Sequence, residues 1–167
     1  MKKLKSCIVF LLISVVIFNL TGCAKDKEMI GGASEIKETI KVVDCAGRKV
    51  ELEKEAKRIV DLTFLEGVRT LIELGGQNRL AGMSDMDHQA FNPNGVLKNS
   101  YLIVSQVAPE LKNIANVGSH KEPNIEMIIS LKPDVIFVEW SRKDYAETLQ
   151  KQVNIPVVCV GGYGNFN

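Results

Sequence analysis

Two stretches of the chain carry the side chains best suited to chemistry. Asp85, Asp87 and His88 lie close together, and with His120 they form a set of hard and borderline metal ligands. Trp140-Ser141-Arg142 sets a flat ring with one N–H donor beside a guanidinium that can hold a carboxylate through paired hydrogen bonds. Two histidines in a polar stretch are more often part of a loop than ligands. No protein-held metal ion or resident cofactor is therefore expected, and Asp85 and Asp87 are expected to cap or turn the chain. Nothing forms a catalytic set: the sequence has no P-loop, no G-x-S-x-G and no H-E-x-x-H. Gly161-Gly162-Tyr163-Gly164 follows a strand-like run, but a G-x-G-x-x-G begun at Gly162 ends on Asn167 with no helix behind it. A nucleotide-dependent α/β enzyme is thus the weaker reading. The cysteines Cys7, Cys23, Cys45 and Cys159 include no C-x-x-C pair, which excludes a zinc ribbon or a thioredoxin-type motif.

The elements that must position these residues begin after an uneven start. The chain has 167 residues, 46% hydrophobic and 25% charged, an ordinary globular balance. With 21 Lys+Arg against 20 Asp+Glu there is no basic excess to suggest nucleic acid. Lys2, Lys3 and Lys5 precede an apolar run over residues 7–18 broken only by Ser14, the order of a secretory signal. The run is short of the roughly 20 residues that cross a bilayer. It leads into Leu20-Thr21-Gly22-Cys23, which resembles the lipobox of bacterial lipoproteins. That resemblance implies removal of residues 1–22, acylation of Cys23, and an exported chain held at the membrane and facing outside or the periplasm. Residues 23–38, polar and with Gly31-Gly32, read as a flexible tether.

From residue 39 the pattern is α/β. Residues 39–45 and 48–52 alternate around Ala46-Gly47 and predict a β-hairpin. Residues 58–62, 79–84, 134–140 and 155–160 read as strands, the run Val135-Ile136-Phe137-Val138 suiting a strand buried on both faces. Phe64, Leu65, Val68, Leu71 and Ile72 recur at helical spacing up to Gly75-Gly76. Pro123-Asn124 opens a second helix with Ile125, Ile128, Ile129 and Leu131 inward, closed by Lys132-Pro133. Ser141-x-x-Asp144 reads as a helix start, with Tyr145, Leu149 and Val153 at four-residue steps. The gap between Ser84 and Asn116 reads as a long loop with a helical piece near residues 100–111 despite Pro109. The alternation predicts a parallel sheet with helices on both faces, preceded by the hairpin. Cys45 and Cys159 are expected to lie too far apart for a disulfide, with Cys159 buried as a small apolar residue.

The chain resembles the N-terminal lobe of the substrate-binding lipoproteins of ABC importers for iron-siderophore complexes, haem and cobalamin. The likeness rests on Val43-Asp44-Cys45-Ala46-Gly47-Arg48, Lys57-Arg58-Ile59-Val60, Leu74-Gly75, Arg79-Leu80-Ala81-Gly82-Met83-Ser84 and Asn116-Val117-Gly118. Its strongest part is Asn124-Ile125-Glu126-Met127-Ile128-Ile129-Ser130-Leu131-Lys132-Pro133-Asp134-Val135-Ile136. The family's plan implies two α/β lobes joined by one long helix, with the ligand in the cleft between them. Residues 39–167 would be the first lobe, and the sequence stops about where the long helix should start, so the second lobe is expected to be absent as a fragment, a truncated reading frame or a separate chain.

On that plan the chain captures a metal chelate and hands it to an ABC permease and its ATPase. Ligands of open α/β sheets sit outside the carboxyl ends of the strands. The expected ligand-side residues are Phe64, Leu65, Asp87, His88, His120, Lys121, Trp140, Arg142 and Tyr163. The resemblance implies that cobalamin-binding relatives carry aromatic residues at the positions of His120 and Trp140, so Trp140 keeps that character and His120 departs from it. Arg142 and Lys121 would pair with ligand carboxylates. By the same resemblance Glu126, in the first turn of its helix, docks on permease arginines. A surface interaction module without a small ligand is the alternative of a different class.

Overall fold

Short runs of Val, Ile and Leu make the centre of a parallel sheet in the computed structural model, which describes residues 39–64, 66–92, 94 and 102–161. The expected signal, lipid site Cys23 and tether lie outside the described residues, as do Leu65 and Tyr163. β1 (Ile40–Val43) and β2 (Lys49–Leu52) pair antiparallel, with Ile40 opposite Leu52. Gly47 takes φ 75° in their turn, a conformation that a side chain would strain.

Then come β3 (Ile59–Leu62), α1 (Glu66–Glu73), β4 (Leu80–Met83), α2 (Asp85–Gln89), α3 (Leu102–Val107), β5 (Ala115–Asn116), α4 (Ile125–Leu131), β6 (Val135–Glu139), α5 (Lys143–Val153) and β7 (Val157–Val160). The five strands β3–β7 form one parallel sheet in the order β5-β4-β3-β6-β7. The chain lays down β3, β4 and β5 toward one edge, then returns to β6 on the other side of β3. The order therefore reverses between β3 and β6.

Side chains of β3, β6 and β7 alternate between the two faces of the sheet, whereas in β4 Leu80 and Met83 enter the same core beside an irregularity in the β3–β4 register. Ile59, Val135 and Val158 enter a core with Val50 and Leu52 of the hairpin, Val68 of α1 and Val104 of α3. Val60, Leu62, Ile136, Val138, Val157 and Cys159 enter a second core with Ile128 of α4 and Ala146, Leu149 and Val153 of α5. Helices thus cover both faces, as expected. Burying one such Leu or Ile contributes about 1.5–3 kcal/mol.

α4 starts where Asn124 Oδ1 accepts from the Met127 N–H at 2.9 Å. It ends with Lys132 in the left-handed region, φ 48°, before Pro133. Two details differ from expectation. Ile129 faces outward, 47% exposed, because a seven-residue helix offers only one buried stripe, led by Ile128. Ser141 does not cap α5. It lies in a 3₁₀ turn, Trp140–Arg142, and its hydroxyl donates to the Glu139 carboxylate.

The stretch after Ser84 is not one loop. Ser84 Oγ accepts from the Asp87 N–H at 3.3 Å and starts α2, so Asp85 and Asp87 lie in a helical first turn. Farther on, Pro109 divides the expected helix into α3 and a 3₁₀ turn, Pro109–Asn113.

Cys159 is buried, as expected, but the expected distance between the two cysteines is overturned. The hairpin turn lies along the free edge of β7: the Cys45 N–H donates to the Cys159 carbonyl at 3.2 Å, and the two sulfurs stand 3.2 Å apart. Buried Asp44 anchors this junction. Its carboxylate accepts from the Ala46 and Arg48 amides, the Arg48 guanidinium and the Cys159 N–H, at 2.7–3.1 Å. Burial by itself would raise the Asp44 carboxyl, but these donors together hold it below the ordinary aspartate value. Arg48 also reaches the Val157 carbonyl at 2.7 Å, so the turn occupies polar groups that an edge strand would otherwise present to other chains.

Candidate functional site

The carboxyl ends of β3, β6 and β7, together with α1, border an open cleft of about 700 Å³ beside the point where the strand order reverses. β3 delivers Thr63 and Phe64 to it, β6 delivers Phe137, Glu139, Trp140 and Ser141, and β7 delivers Val160 and Gly161. α1 closes one side with Glu66, Gly67, Thr70 and Leu71, and Leu74 follows it. Phe64 is 39% and Trp140 46% exposed, large apolar faces left open at a strand end. Trp140 is therefore not core packing.

Of the residues expected on the ligand side, Phe64 and Trp140 line this cleft directly. His120 adjoins it edge-to-face with Phe64, ring centroids 5.5 Å apart. Lys121 and Arg142 stand farther along the same rim, where Arg142 Nη2 donates to the Lys121 carbonyl at 2.9 Å and its guanidinium lies 4.6 Å from the Tyr145 ring centre. Neither borders the cleft, whose charged lining residues are Glu66 and Glu139. Lys143 Nζ lies over the Trp140 ring, 4.5 Å from its centre.

Asp87 is buried in α2, where its carboxylate accepts from Ser84 Oγ at 2.6 Å, and His88 is half-buried on the same helix. Among the described residues, no three His, Cys, Asp or Glu side chains gather in a way that could hold a metal ion. Glu126 is exposed in the first turn of α4, beside Met127 at 38% and Ile129 at 47% exposure. This helix packs on the opposite face of the sheet from α1.

One buried group was not singled out from the sequence. Asp61, fully buried in β3, lies among apolar neighbours under the start of α1. Thr63 Oγ1 donates to Asp61 Oδ2 at 3.0 Å and accepts from the Gly67 N–H at 2.7 Å, which joins strand, turn and helix. A Cβ on Gly67 would meet Asp61 Oδ1 at 2.2 Å and Thr63 Oγ1 at 2.4 Å, so the helix can approach only because Gly67 has none. Burial, and then the charge of Asp87, push the Asp61 carboxyl well above the ordinary aspartate range. The available signal was a lone acid inside Ile59-Val60-Asp61-Leu62.

No family model matches the chain. The molybdate-binding protein MolA of Haemophilus influenzae is 31% identical to it over 123 residues, 71% of this chain and 31% of that protein. The structure of MolA bound to molybdate matches with a TM-score of 0.61 at 28% identity, over 73% of this chain and 34% of the other. The petrobactin-binding protein YclQ of Bacillus subtilis matches with a TM-score of 0.55 at 25% identity, over 75% and 38%. These relatives are binding proteins, in keeping with a chain read as no enzyme. The chain spans about a third of their length. Its structural neighbours are periplasmic solute-binding proteins of ABC importers, and the chain has the architecture of one of their two lobes.

Proposed function

We propose that the chain supplies one wall of the ligand cleft in a solute-binding protein that captures a metal chelate and delivers it to an ABC permease and its ATPase. The observation that carries this reading is the open cleft of about 700 Å³ at the carboxyl ends of the strands, faced by Phe64 and Trp140. A flat, half-exposed aromatic wall suits the organic shell of a ferric siderophore, a haem or a cobalamin. Glu66 and Glu139 favour such a ligand over a small bare dianion, which they would repel. In this reading His120, Lys121 and Arg142 on the adjoining rim meet acidic groups at the edge of a bulky chelate. Molybdate is the second reading, supported by the likeness to MolA. In the same proposal Cys23 holds the protein at the membrane by its lipid, and Glu126 docks on the permease from the exposed side of α4.

Trp140 is the only Trp in the chain, so its fluorescence reports on this cleft. The test is titration with a ferric catecholate, haemin, cobalamin and molybdate, run on this chain and on a two-lobed protein carrying it as first lobe. An organic chelate is expected to quench weakly with the chain alone and at least about tenfold more tightly with both lobes, about 1.4 kcal/mol. By calorimetry, Trp140→Ala in the two-lobed form should cost a similar factor. A saturable response to molybdate alone would replace the chelate reading with the second one. Silence toward all four would return the chain to a surface interaction module.

A further inference from the structure

The junction between the hairpin turn and β7 holds a pair of thiols that the ligand cleft does not use. Cys45 is exposed, Cys159 is buried, and their sulfurs are 3.2 Å apart across 114 positions of sequence. Their backbones are already held together. Cys45 N–H donates to the Cys159 carbonyl, the Cys159 N–H donates to Asp44, and Arg48 ties Asp44 to the Val157 carbonyl. Residues sharing a backbone hydrogen bond have the separation that a disulfide spans. The sulfurs need to close by only about 1 Å to reach bonding distance.

We infer that Cys45 and Cys159 form a disulfide when the chain meets an oxidising thiol-disulfide partner, and that this bond clamps the hairpin onto the free edge of the sheet. The exposed Cys45, as thiolate, attacks a sulfur of the partner's disulfide. One partner sulfur leaves as a thiolate, and Cys45 remains in a mixed disulfide. Cys159 then gives up its proton and attacks Cys45 Sγ, which expels the second partner thiolate. Two cysteine thiols lose two electrons, the partner disulfide gains them, and the two protons leave on the two partner thiols. The buried Cys159 controls the second step. Burial first, then the hydrogen bond and charge of Cys45, push its thiol up to about 12. The mixed disulfide at Cys45 should therefore accumulate before the clamp closes, and closure should quicken as pH rises.

The inference does not depend on the ligand, so it is tested on the full chain. The reduced protein is incubated with oxidised glutathione at pH 8, trapped with iodoacetamide and digested with trypsin without reduction. Peptides 42–48 and 152–167 hold Cys45 and Cys159 separately and should appear joined, two hydrogens lighter than their sum. The oxidised chain should melt about 5–15 °C above the reduced one. A Cys45→Ser chain should lose both the joined peptide and the response to reductant. Recovery of the two peptides only as separate alkylated or glutathionylated species would overturn the inference. So would Cys45 joined instead to Cys7 or Cys23, or a melting temperature indifferent to reductant.

Discussion

At the amino ends of β3 and β6, polar side chains are tied to main chain. Asp134 Oδ2 accepts from the Lys57 and Arg58 amides at 2.9 Å each, and Lys54 Nζ reaches its other oxygen at 3.1 Å. Arg58 turns its guanidinium onto the Leu131 carbonyl at 2.9 and 2.7 Å, which joins the end of α4 to the start of β3. At the carboxyl ends of the same strands, Phe64 and Trp140 stand half open, and Lys143 rests on the face of the Trp140 ring. One end uses its charges to hold the chain. The other leaves apolar surface half exposed and keeps an acid, Asp61, beneath it. Arg58 and Asp134 therefore belong to the end that builds the fold.

The contrast breaks most visibly at Asp134. Asp134→Ala removes the acceptor for two amides and should cost about 2 kcal/mol, read as a lower urea midpoint with an unchanged slope. Loss of less than about 0.5 kcal/mol would mean that water replaces this carboxylate at no cost, and the amino end would be no firmer than the other.

Acid response sharpens the comparison. Burial raises the Asp134 carboxyl, but the amides of Lys57 and Arg58 and the side chain of Lys54 outweigh it, so its value is lowered. Its contribution is present above the ordinary aspartate range and is lost as pH falls through the lowered value. Asp61 has the opposite sign. Its raised value means that the folded state holds a proton which the unfolded chain releases, so its contribution is full below the ordinary aspartate range and is lost as pH rises from there. Asp61→Asn should therefore gain on the parent protein by about 1 kcal/mol between pH 4 and pH 7, within the limit of about 1.4 kcal/mol per unit. A constant offset across that range would show that Asp61 is ionised in the fold. The smallest effect belongs to Lys143→Ala, about 0.5 kcal/mol in stability together with a shift in Trp140 emission. Unchanged emission would place the ammonium away from the ring in solution.

The alternation of the strands, the hairpin and the start of α4 at Asn124 were legible because each rests on residues a few positions apart. The strand ends that carry Phe64 and Trp140 followed from the same topology. What was hidden is non-local. No period in the sequence relates Cys45 to Cys159, or Arg58 to the Leu131 carbonyl. The contribution of α1 to the cleft depends on how closely the helix seats, and that is decided by Gly67 against Asp61 and Thr63. Nor does any spacing announce that the Arg142 guanidinium reaches the Lys121 carbonyl, 21 positions away.

The seat of the hairpin turn on β7 also sets an order of assembly. Asp44 and Arg48 leave a ribosome early, yet the Cys159 amide and Val157 carbonyl that complete their network come more than a hundred positions later. β3 likewise waits for β6, which pairs with it from Ile59–Val135 to Leu62–Val138. Contacts so distant in sequence close slowly, because loop entropy must be lost before they form. The first strand pair of this domain is thus among the last to be locked. A nascent chain that has not yet exposed residues 157–160 can seat Val50 and Leu52 against Ile59, Val68 and Val135, but it leaves Asp44 and Arg48 without the Cys159 amide and the Val157 carbonyl that lock the turn.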